Sequence, residues 1–339
     1  MAEVYDELMF HGATFADLLH NGRPLLSVDA TDVDYEVVFP FTQEQFDLIC
    51  SDLTSYPIAR AVAASNGFPV LFTPITLKDY ADQCGGRKPP WIQEQNDVDP
   101  LSRRHYLART SELYLDPART RYVHLLDGGI SDNLALRGVI DAALLVTGDR
   151  GALARTNLSQ VRRILLISVD GEAAADTAGA RSSSLSSIAQ IFGAVSGTEI
   201  DAYNFETLIL ARKEIADLAV TIGKQRCGKA ATINGYACGD VEGYFMHLSL
   251  ADISDPAIRN RLQQIPTGLT LSDSDVDRLI AAGESAIGEA PELRAFRASL
   301  SVQRSARPLP RELMETDGGA YAAPVVDGQK SLAILFQRW

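Results

Sequence analysis

The sequence places an acid and two glycines directly after an apolar run at residues 122–129, YVHLLDGG. A run of this kind predicts a buried strand, which would carry Asp127 to the edge of a sheet. Gly128 and Gly129 lack a Cβ and would let the backbone turn sharply after the strand. A carboxylate held rigidly in this way can accept a proton from a nucleophile. Asp-Gly is also common in ordinary turns. The sequence upstream is therefore needed to decide whether Asp127 has a chemical role or only a structural one.

An alanine-rich segment precedes this strand. Residues 57–66, PIARAVAASN, predict a helix that begins near Pro57 and is ended by Asn66 and the glycine after it. Its small side chains would let the helix pack close to a sheet. A proline and a short apolar run follow, so helix and strand would lie near each other in the fold.

In this order, the segments resemble the second half of a patatin-like phospholipase domain. The resemblance begins with HGATF at residues 11–15 and RPLLSVDAT at residues 23–31, and it extends to about residue 206. It implies a three-layer patatin-like α/β sandwich. The function it implies is hydrolysis of lipid acyl esters or of other esters.

Enzymes of this family are similar to serine hydrolases, with a Ser-Asp dyad as the catalytic pair. A serine in a G-x-S-x-G turn attacks the ester while the Asp of the DGG motif accepts its proton. Backbone N–H groups stabilise the oxyanion, each contributing on the order of 3 kcal/mol. The resemblance makes Asp127 the base, with Gly128 and Gly129 shaping its turn.

The nucleophile of this mechanism is missing, because the sequence contains no G-x-S-x-G. The nearest string, GAVSG at residues 193–197, has the wrong spacing, and its Ser196 lies in a stretch with helical spacing. We therefore expect a fragment, a split or truncated gene, or an inactive relative. A complementing N-terminal fragment is then an expected partner. The alternative function is a non-catalytic module that keeps the fold and binds a lipid or a protein.

Composition limits the partners. The chain has 339 residues, of which 46% are hydrophobic, enough for a sizeable core. Its net charge is −13, and no basic cluster with aromatic residues occurs, so we expect no nucleic-acid partner. No apolar run reaches the length of a transmembrane helix. The N-terminal residues lack signal-peptide character, and export or envelope association of the parent protein remains an open interpretation.

Two of the four cysteines, Cys227 and Cys238, flank a turn-rich stretch. They predict a disulfide if the parent protein is exported, and two free thiols otherwise. The chain has no C-x-x-C and its histidines are scattered, which argues against a zinc site. We expect neither a metal nor a cofactor.

The order of elements predicts an α/β domain over residues 1–300 that lacks its N-terminal strands, followed by an irregular tail over residues 301–339. Ser272 is followed three residues later by an acid, Asp275, and this spacing predicts that Ser272 caps the start of a helix. A short strand is predicted between Leu332 and Phe336. The remaining predicted strands are residues 25–28, 37–41, 70–72, 123–126, 164–169 and 244–250, and the predicted helices are residues 134–146, 186–218 and 273–287.

A second strand-end acid, Asp170, is also followed by glycine. We prefer Asp127 as the base because the family pattern places a second glycine and the pair Asp132 and Asn133 after it. Alternation places His124 on the strand face opposite Asp127, which favours a core or surface histidine over a catalytic one.

Three further residues have both a functional and a structural interpretation. Ser65 is expected to act as a helix cap in preference to a nucleophile. Arg60 could face the site, although a surface ion pair is an equal expectation. Trp91 is placed on a loop, where packing is favoured over contact with an acyl chain.

Overall fold

The computed structural model describes residues 1–20, 26–69, 71–85, 88–93, 99–145, 160–174, 188–266, 268, 270–300 and 333–335. The chain combines helices with small sheets, which confirms the general α/β class. It divides into two compact units, residues 1–141 and residues 142–339. The predicted domain over residues 1–300 therefore spans the first unit and much of the second.

The first unit contains a four-stranded antiparallel sheet with the strand order β2-β1-β4-β3. In the central pair, Thr31 of β1 is the register partner of Leu126 of β4. The four strands are β1 Asp29–Asp32, β2 Val37–Pro40, β3 Ile75–Lys78 and β4 Tyr122–Leu126.

Helix Ile58–Ser65 forms where the alanine-rich segment predicted it. Pro57, in extended conformation, is its N-cap, and Asn66 is its C-cap. Ala61 and Ala64 are fully buried, so their small side chains allow the close packing expected from the sequence. The other α-helices of this unit are Ala2–Tyr5, Phe15–His20, Gln43–Leu48, Pro90–Gln93, Arg103–Glu112, Gly129–Asp132 and Arg137–Leu145.

Aromatic side chains contact one another within the core of the first unit. Phe39 packs edge-on against Phe41 at 5.7 Å and against Tyr114 at 6.0 Å between ring centroids. Edge-to-face pairs of this kind add to the stabilisation from buried area. Beside this core, Cys50 and Cys84 form a disulfide with Cα atoms 5.9 Å apart, a pairing the sequence did not predict.

The second unit contains a parallel sheet with the strand order β8-β5-β9. The strands are β5 Arg163–Asp170, β8 Glu242–Ser249 and β9 Ala333–Leu335. Gly243 is required at its position because a Cβ there would overlap the carbonyl of Ile215. Ile215 belongs to helix Ile188–Cys227, so this contact packs the helix directly on the sheet.

A short hairpin of the second unit pairs β6 Thr232–Ile233 with β7 Tyr236–Ala237. Its turn residues Asn234 and Gly235 have φ values of 52° and 80°, as a two-residue hairpin turn of the Asn-Gly type requires. The predicted disulfide between Cys227 and Cys238 is confirmed. The remaining α-helices of the unit are Pro256–Gln263, Asp273–Glu289 and Pro291–Leu300.

Several predicted boundaries are wrong. The strand expected at residues 25–28 begins at Asp29, and residues 71 and 72 lie in a turn and a bend with no strand. The helix expected from Leu134 begins at Arg137, because Ala135 has a left-handed φ of 52° that a helix cannot contain. Trp91 lies on a short helix and packs against the core, which supports the packing interpretation.

The predicted start at Ser272 is confirmed: its hydroxyl accepts a hydrogen bond from the backbone N–H of Asp275, and the helix Asp273–Glu289 begins there. Strand Ala333–Leu335 lies within the short strand expected near the C-terminus. The rest of the predicted tail, residues 301–332 and 336–339, lies outside the described residues.

Candidate functional site

Asp127 follows the last residue of β4 and is held through its backbone on two sides. Its N–H donates to the carbonyl of Gly67 at 3.1 Å, just beyond helix Ile58–Ser65. Its carbonyl accepts from the Thr31 hydroxyl at 2.7 Å. Since Thr31 is itself buried on β1, these bonds fix Asp127 against both the sheet and the helix.

The Asp127 carboxylate is oriented by the turn that follows it. Its Oδ1 accepts from the backbone N–H of Gly129 at 2.7 Å. The N–H of Gly128 donates to the carbonyl of Ser65 at 3.0 Å. Together, these contacts place a half-buried carboxylate at a fixed strand end, as the sequence predicted.

Gly128 is needed for space. Its φ of −64° is open to any residue, but a Cβ at this position would overlap the carbonyl oxygen of Asp29. The two glycines were predicted to permit a sharp turn. At Gly128 the structure gives a more specific reason, the close approach of β1 under the turn.

Asp29 is the main feature of the site that the sequence analysis missed. It is buried on β1, and its carboxylate accepts from the Ser27 hydroxyl at 3.2 Å. Burial raises the pKa of Asp29 to about 7, and the nearby charge of Asp132 adds to the rise. A carboxyl with such a pKa can exchange protons near neutral pH, which is a property of many functional sites. An aspartate in a strand has no sequence signal that distinguishes it from a surface residue.

Two more carboxyls extend this acidic group. Burial raises the pKa of Asp132 to about 6, against the opposing hydrogen bond from the backbone N–H of Arg137. Burial also raises the pKa of Asp141, which pairs with Arg103. In the sequence analysis, Asp132 was named only as part of the family pattern. In the structure, its charge lies close enough to Asp29 to help raise the pKa of that residue.

Two serines lie close to the DGG turn. The Ser65 hydroxyl oxygen is 3.4 Å from the point that a Cβ on Gly128 would occupy. The Ser131 hydroxyl is bonded to the Thr31 hydroxyl at 2.8 Å. Within the described residues, the structure gives no hydrogen bond between the Ser65 hydroxyl and the Asp127 carboxylate. Ser196 lies in helix Ile188–Cys227, consistent with the helical spacing of its sequence.

Asp170, the second strand-end acid, belongs to the parallel sheet of the second unit. Its carboxylate accepts from the backbone N–H of Glu172 at 3.0 Å. Ser168 and His247 are register partners on the same sheet face. Their Oγ and Nδ1 atoms are buried without a partner among the described residues, so no Ser-His-Asp hydrogen-bond chain joins them to Asp170.

The remaining candidates have structural contacts. His124 Nδ1 lies 2.6 Å from a carboxylate oxygen of Asp34 in a half-exposed pair, so it is a surface histidine. Arg60 is exposed on the helix, and its positive charge opposes the rise that burial causes in the pKa of the neighbouring Tyr56. The capping role expected for Ser65 is wrong, because Ser65 is the last residue of its helix and Asn66 is the C-cap. The Ser65 carbonyl accepts a hydrogen bond from the Gly128 N–H.

A scan against protein-family models, a search of curated proteins and a search of solved structures return no match for this chain. Within the described ranges, no helix has both the length and the apolar character that crossing a bilayer requires. In the same ranges, no group of three or more His, Cys, Asp or Glu side chains is placed to hold a metal ion.

Proposed function

We propose that this chain carries the base half of a patatin-like lipid acyl hydrolase, with Asp127 as the general base. The observation that carries the proposal is the position of Asp127 at a strand end, where Gly67, Thr31 and Gly129 all hydrogen-bond to it. A base must be held within hydrogen-bond reach of the proton it removes, and these contacts fix one carboxylate in that way. The patatin-like three-layer sandwich is part of the same proposal.

The chemistry proposed for Asp127 is the uptake and return of one proton in each of two half-reactions. A serine hydroxyl attacks the ester carbonyl, its proton passes to the carboxylate, and an acyl-serine forms as the alcohol leaves with that proton. In the second half-reaction a water molecule attacks the acyl-serine and its proton passes to the carboxylate. The serine then leaves with that proton, and the carboxylic acid is released. Serine is a poor nucleophile without a base, so the Asp127 carboxylate is required in both steps. The serine would have to come from a G-x-S-x-G segment, which this sequence lacks.

Apolar side chains beside the turn support an ester with an acyl chain as the substrate. Phe68 follows Gly67 and is 55% exposed, and Leu71, in the next turn, is 72% exposed. Ile130, whose N–H bonds to the Asp127 carbonyl, is 47% exposed. Exposed apolar side chains clustered at a polar group are typical of a site that meets a lipid.

A non-catalytic module that binds a lipid or a protein is the second candidate. The same exposed side chains favour it, because they would serve binding equally well. The absence of a G-x-S-x-G serine from the sequence is the observation that separates it from a complete enzyme.

The deciding experiment joins the N-terminal half of a patatin-like enzyme, with its G-x-S-x-G serine, to this chain and measures kcat on a p-nitrophenyl ester. The chimera should be active, and Asp127→Asn should lower kcat by about 10²–10⁴-fold, since the amide cannot accept the serine proton. Asp170→Asn is the matched control and should retain activity.

Circular dichroism confirms that each variant is folded. An active Asp127→Asn with an inactive Asp170→Asn would contradict the assignment of the base. A folded but inactive chimera would favour the binding module. The chain alone should show no turnover above background, and labelling of a serine by a fluorophosphonate with loss of turnover would also contradict the proposal.

A further inference from the structure

Helix Asp273–Glu289 of the second unit is attached to its surroundings along one side only. The helix has 17 residues, and none of them is fully buried. Its half-buried residues recur at intervals of four, three and four, which places them on one side of the helix. These residues are Asp275, Leu279, Ala282 and Ala286. The other sides of the helix are therefore open to solvent.

A row of apolar residues runs along one of the open sides. Val276 is 41% exposed, Ile280 57% and Ile287 44%. Gly283 completes the row, and a Cβ on this residue would meet no atom within 4 Å. The four residues are also spaced by four, three and four, so this apolar row forms one line about 16 Å long. Apolar side chains aligned in this way, unlike single exposed ones, are typical of an interaction surface.

A row of acidic residues lies beside the apolar row. Asp273, Asp277 and Glu284 each precede a side chain of the apolar row by three residues, and residues three apart are neighbours on a helix surface. All three are exposed, and in the described part of the chain none of their carboxylates forms an ion pair. The one basic residue of the helix, Arg278, is paired with Asp275. The negative charge of this acidic row is therefore available to a partner.

The acidic row determines which kind of partner fits. The helix carries five acidic side chains and one basic side chain, a formal charge of −4. Such a surface repels the anionic head groups of a lipid membrane. A second copy of this chain, packed antiparallel, would set two identical acidic rows against each other. A partner with basic side chains next to apolar ones would match both rows.

We propose that the apolar and acidic rows bind an amphipathic helical segment of another protein, with Lys or Arg along one edge of its apolar face. A helix docks through anchors spaced by three and four residues, which is the spacing of the apolar row. Gly283 leaves space for a large side chain of the partner between Ile280 and Ile287. Exposed ion pairs add little affinity, so the acidic row acts mainly in selecting a basic partner. The surface lies in the second unit and does not depend on the hydrolase proposal.

Fluorescence anisotropy of the full chain with labelled peptides tests the surface. The probe is a peptide of Leu and Lys, about four helical turns long, whose Leu residues recur at intervals of three and four. One reference peptide carries Glu in place of Lys, and a second has the same composition as the probe in scrambled order. The probe should bind saturably, and both reference peptides should bind at least about tenfold more weakly.

Substitutions in the two rows locate the binding. Ile280→Gln removes apolar contact at an exposed position and should weaken binding of the probe about tenfold, which corresponds to about 1.4 kcal/mol. Phe205→Gln is the matched control, since Phe205 is 62% exposed on helix Ile188–Cys227, and it should leave the affinity unchanged. Circular dichroism verifies the fold of each variant. If Ile280→Gln does not fold, Ile287→Gln in the same row takes its place.

The acidic row is tested by Asp277→Asn combined with Glu284→Gln. This double variant should weaken binding of the probe about threefold at low ionic strength and reduce its dependence on salt. Asp201→Asn combined with Glu206→Gln changes two exposed acids of helix Ile188–Cys227 and is the control, with no effect expected. Equal losses in the two double variants would show that the probe binds through the net charge of the chain and would overturn the proposal.

Three further results would overturn it. The first is an absence of saturable binding by the probe, or an affinity that Ile280→Gln leaves unchanged. The second is a dimer in sedimentation velocity that Ile280→Gln dissociates, because the apolar row would then be an interface between copies of this chain. The third is binding to vesicles of phosphatidylcholine and phosphatidylserine that Ile280→Gln abolishes.

Discussion

The hydroxyl of Thr31 donates a 2.7 Å hydrogen bond to the backbone carbonyl of Asp127, across 96 positions of the sequence. The same hydroxyl lies 2.8 Å from the Ser131 hydroxyl, so Thr31 joins the start and the continuation of the DGG turn. A hydroxyl that is nearly inaccessible to water and makes two such contacts acts as a structural support for the turn. Removal of this hydroxyl should therefore disturb the backbone at Asp127 more than it disturbs the rest of the sheet.

Thr31→Val tests this support. Valine keeps the shape and strand propensity of threonine but removes the shorter of two hydrogen bonds to the Asp127 carbonyl, leaving only the Ile130 N–H at 3.3 Å, and it also removes the contact with the Ser131 hydroxyl. We therefore expect the free energy of unfolding to fall by about 1–3 kcal/mol. Urea unfolding followed by circular dichroism measures the change. Thr76→Val, at an exposed position of β3 in the same sheet, is the control and should be close to neutral. Equal effects of the two substitutions would contradict the role given to Thr31.

Gly128→Ala tests the close approach of β1 to the turn. The added Cβ would overlap the Asp29 carbonyl, and the backbone must shift to accept it, at a cost of about 1–3 kcal/mol. Gly171, which follows the other strand-end acid, has open space at its Cβ position. Gly171→Ala should therefore change stability by no more than about 0.5 kcal/mol. Thermal melts of both variants measure the contrast, and a harmless Gly128→Ala would show that the turn is not confined.

The buried carboxyls predict a dependence of stability on pH. The pKa of Asp29 is raised to about 7 and that of Asp132 to about 6, from 3.8. Between about pH 4 and 7 the folded chain therefore holds protons that the unfolded chain has released, so the free energy of unfolding falls as pH rises. Asp29→Asn removes one of these carboxyls and should flatten the slope, stabilising the chain at pH 8 by at most about 4 kcal/mol.

Melting temperatures from pH 4.5 to 8 provide the measurement for this prediction. Asp252→Asn, at an exposed aspartate, is the control and should leave the slope as it is in the unsubstituted chain. A slope that survives Asp29→Asn unchanged would show that the proton uptake on folding occurs elsewhere.

Both disulfides should be present in the purified chain. Its four cysteines are paired as Cys50 with Cys84 and Cys227 with Cys238, so denatured, unreduced protein should contain no thiol that reacts with Ellman's reagent. The first bridge spans 34 residues and the second 11. In the chain-entropy description, the longer loop contributes about 1 kcal/mol more. Double Cys→Ser variants of each bridge, compared by urea unfolding, measure this difference, and two reactive thiols would contradict the pairing.

Sequence patterns correctly predicted the helices and strands whose positions are set by residues close to them in the chain. Pro57 and Asn66 bound the alanine-rich helix, and the Ser272 cap begins its helix, because caps act within one turn of chain. The apolar run before Asp127 became β4. In each of these cases the decisive interaction lies within a few residues of the feature that it sets.

The features that the sequence did not reveal depend on distant contacts. Strand β1 carries two buried aspartates, and aspartate is depleted in strands, so the pattern placed the strand four residues too early. Asp32 is accommodated by the Tyr114 hydroxyl, 82 positions away. The hydrogen bonds to the Asp127 backbone likewise come from Thr31 and Gly67. These residues are distant in the sequence, so no local pattern predicts their contacts with Asp127.

The two amide bonds from the DGG turn to the end of helix Ile58–Ser65 have a kinetic consequence. The N–H groups of Asp127 and Gly128 are engaged by Gly67 and Ser65, so neither can exchange with solvent deuterium until the helix end separates from the turn. Hydrogen exchange at these two amides should therefore follow the opening of helix and strand as one cooperative unit. Asp127 then keeps its orientation for as long as that unit stays closed.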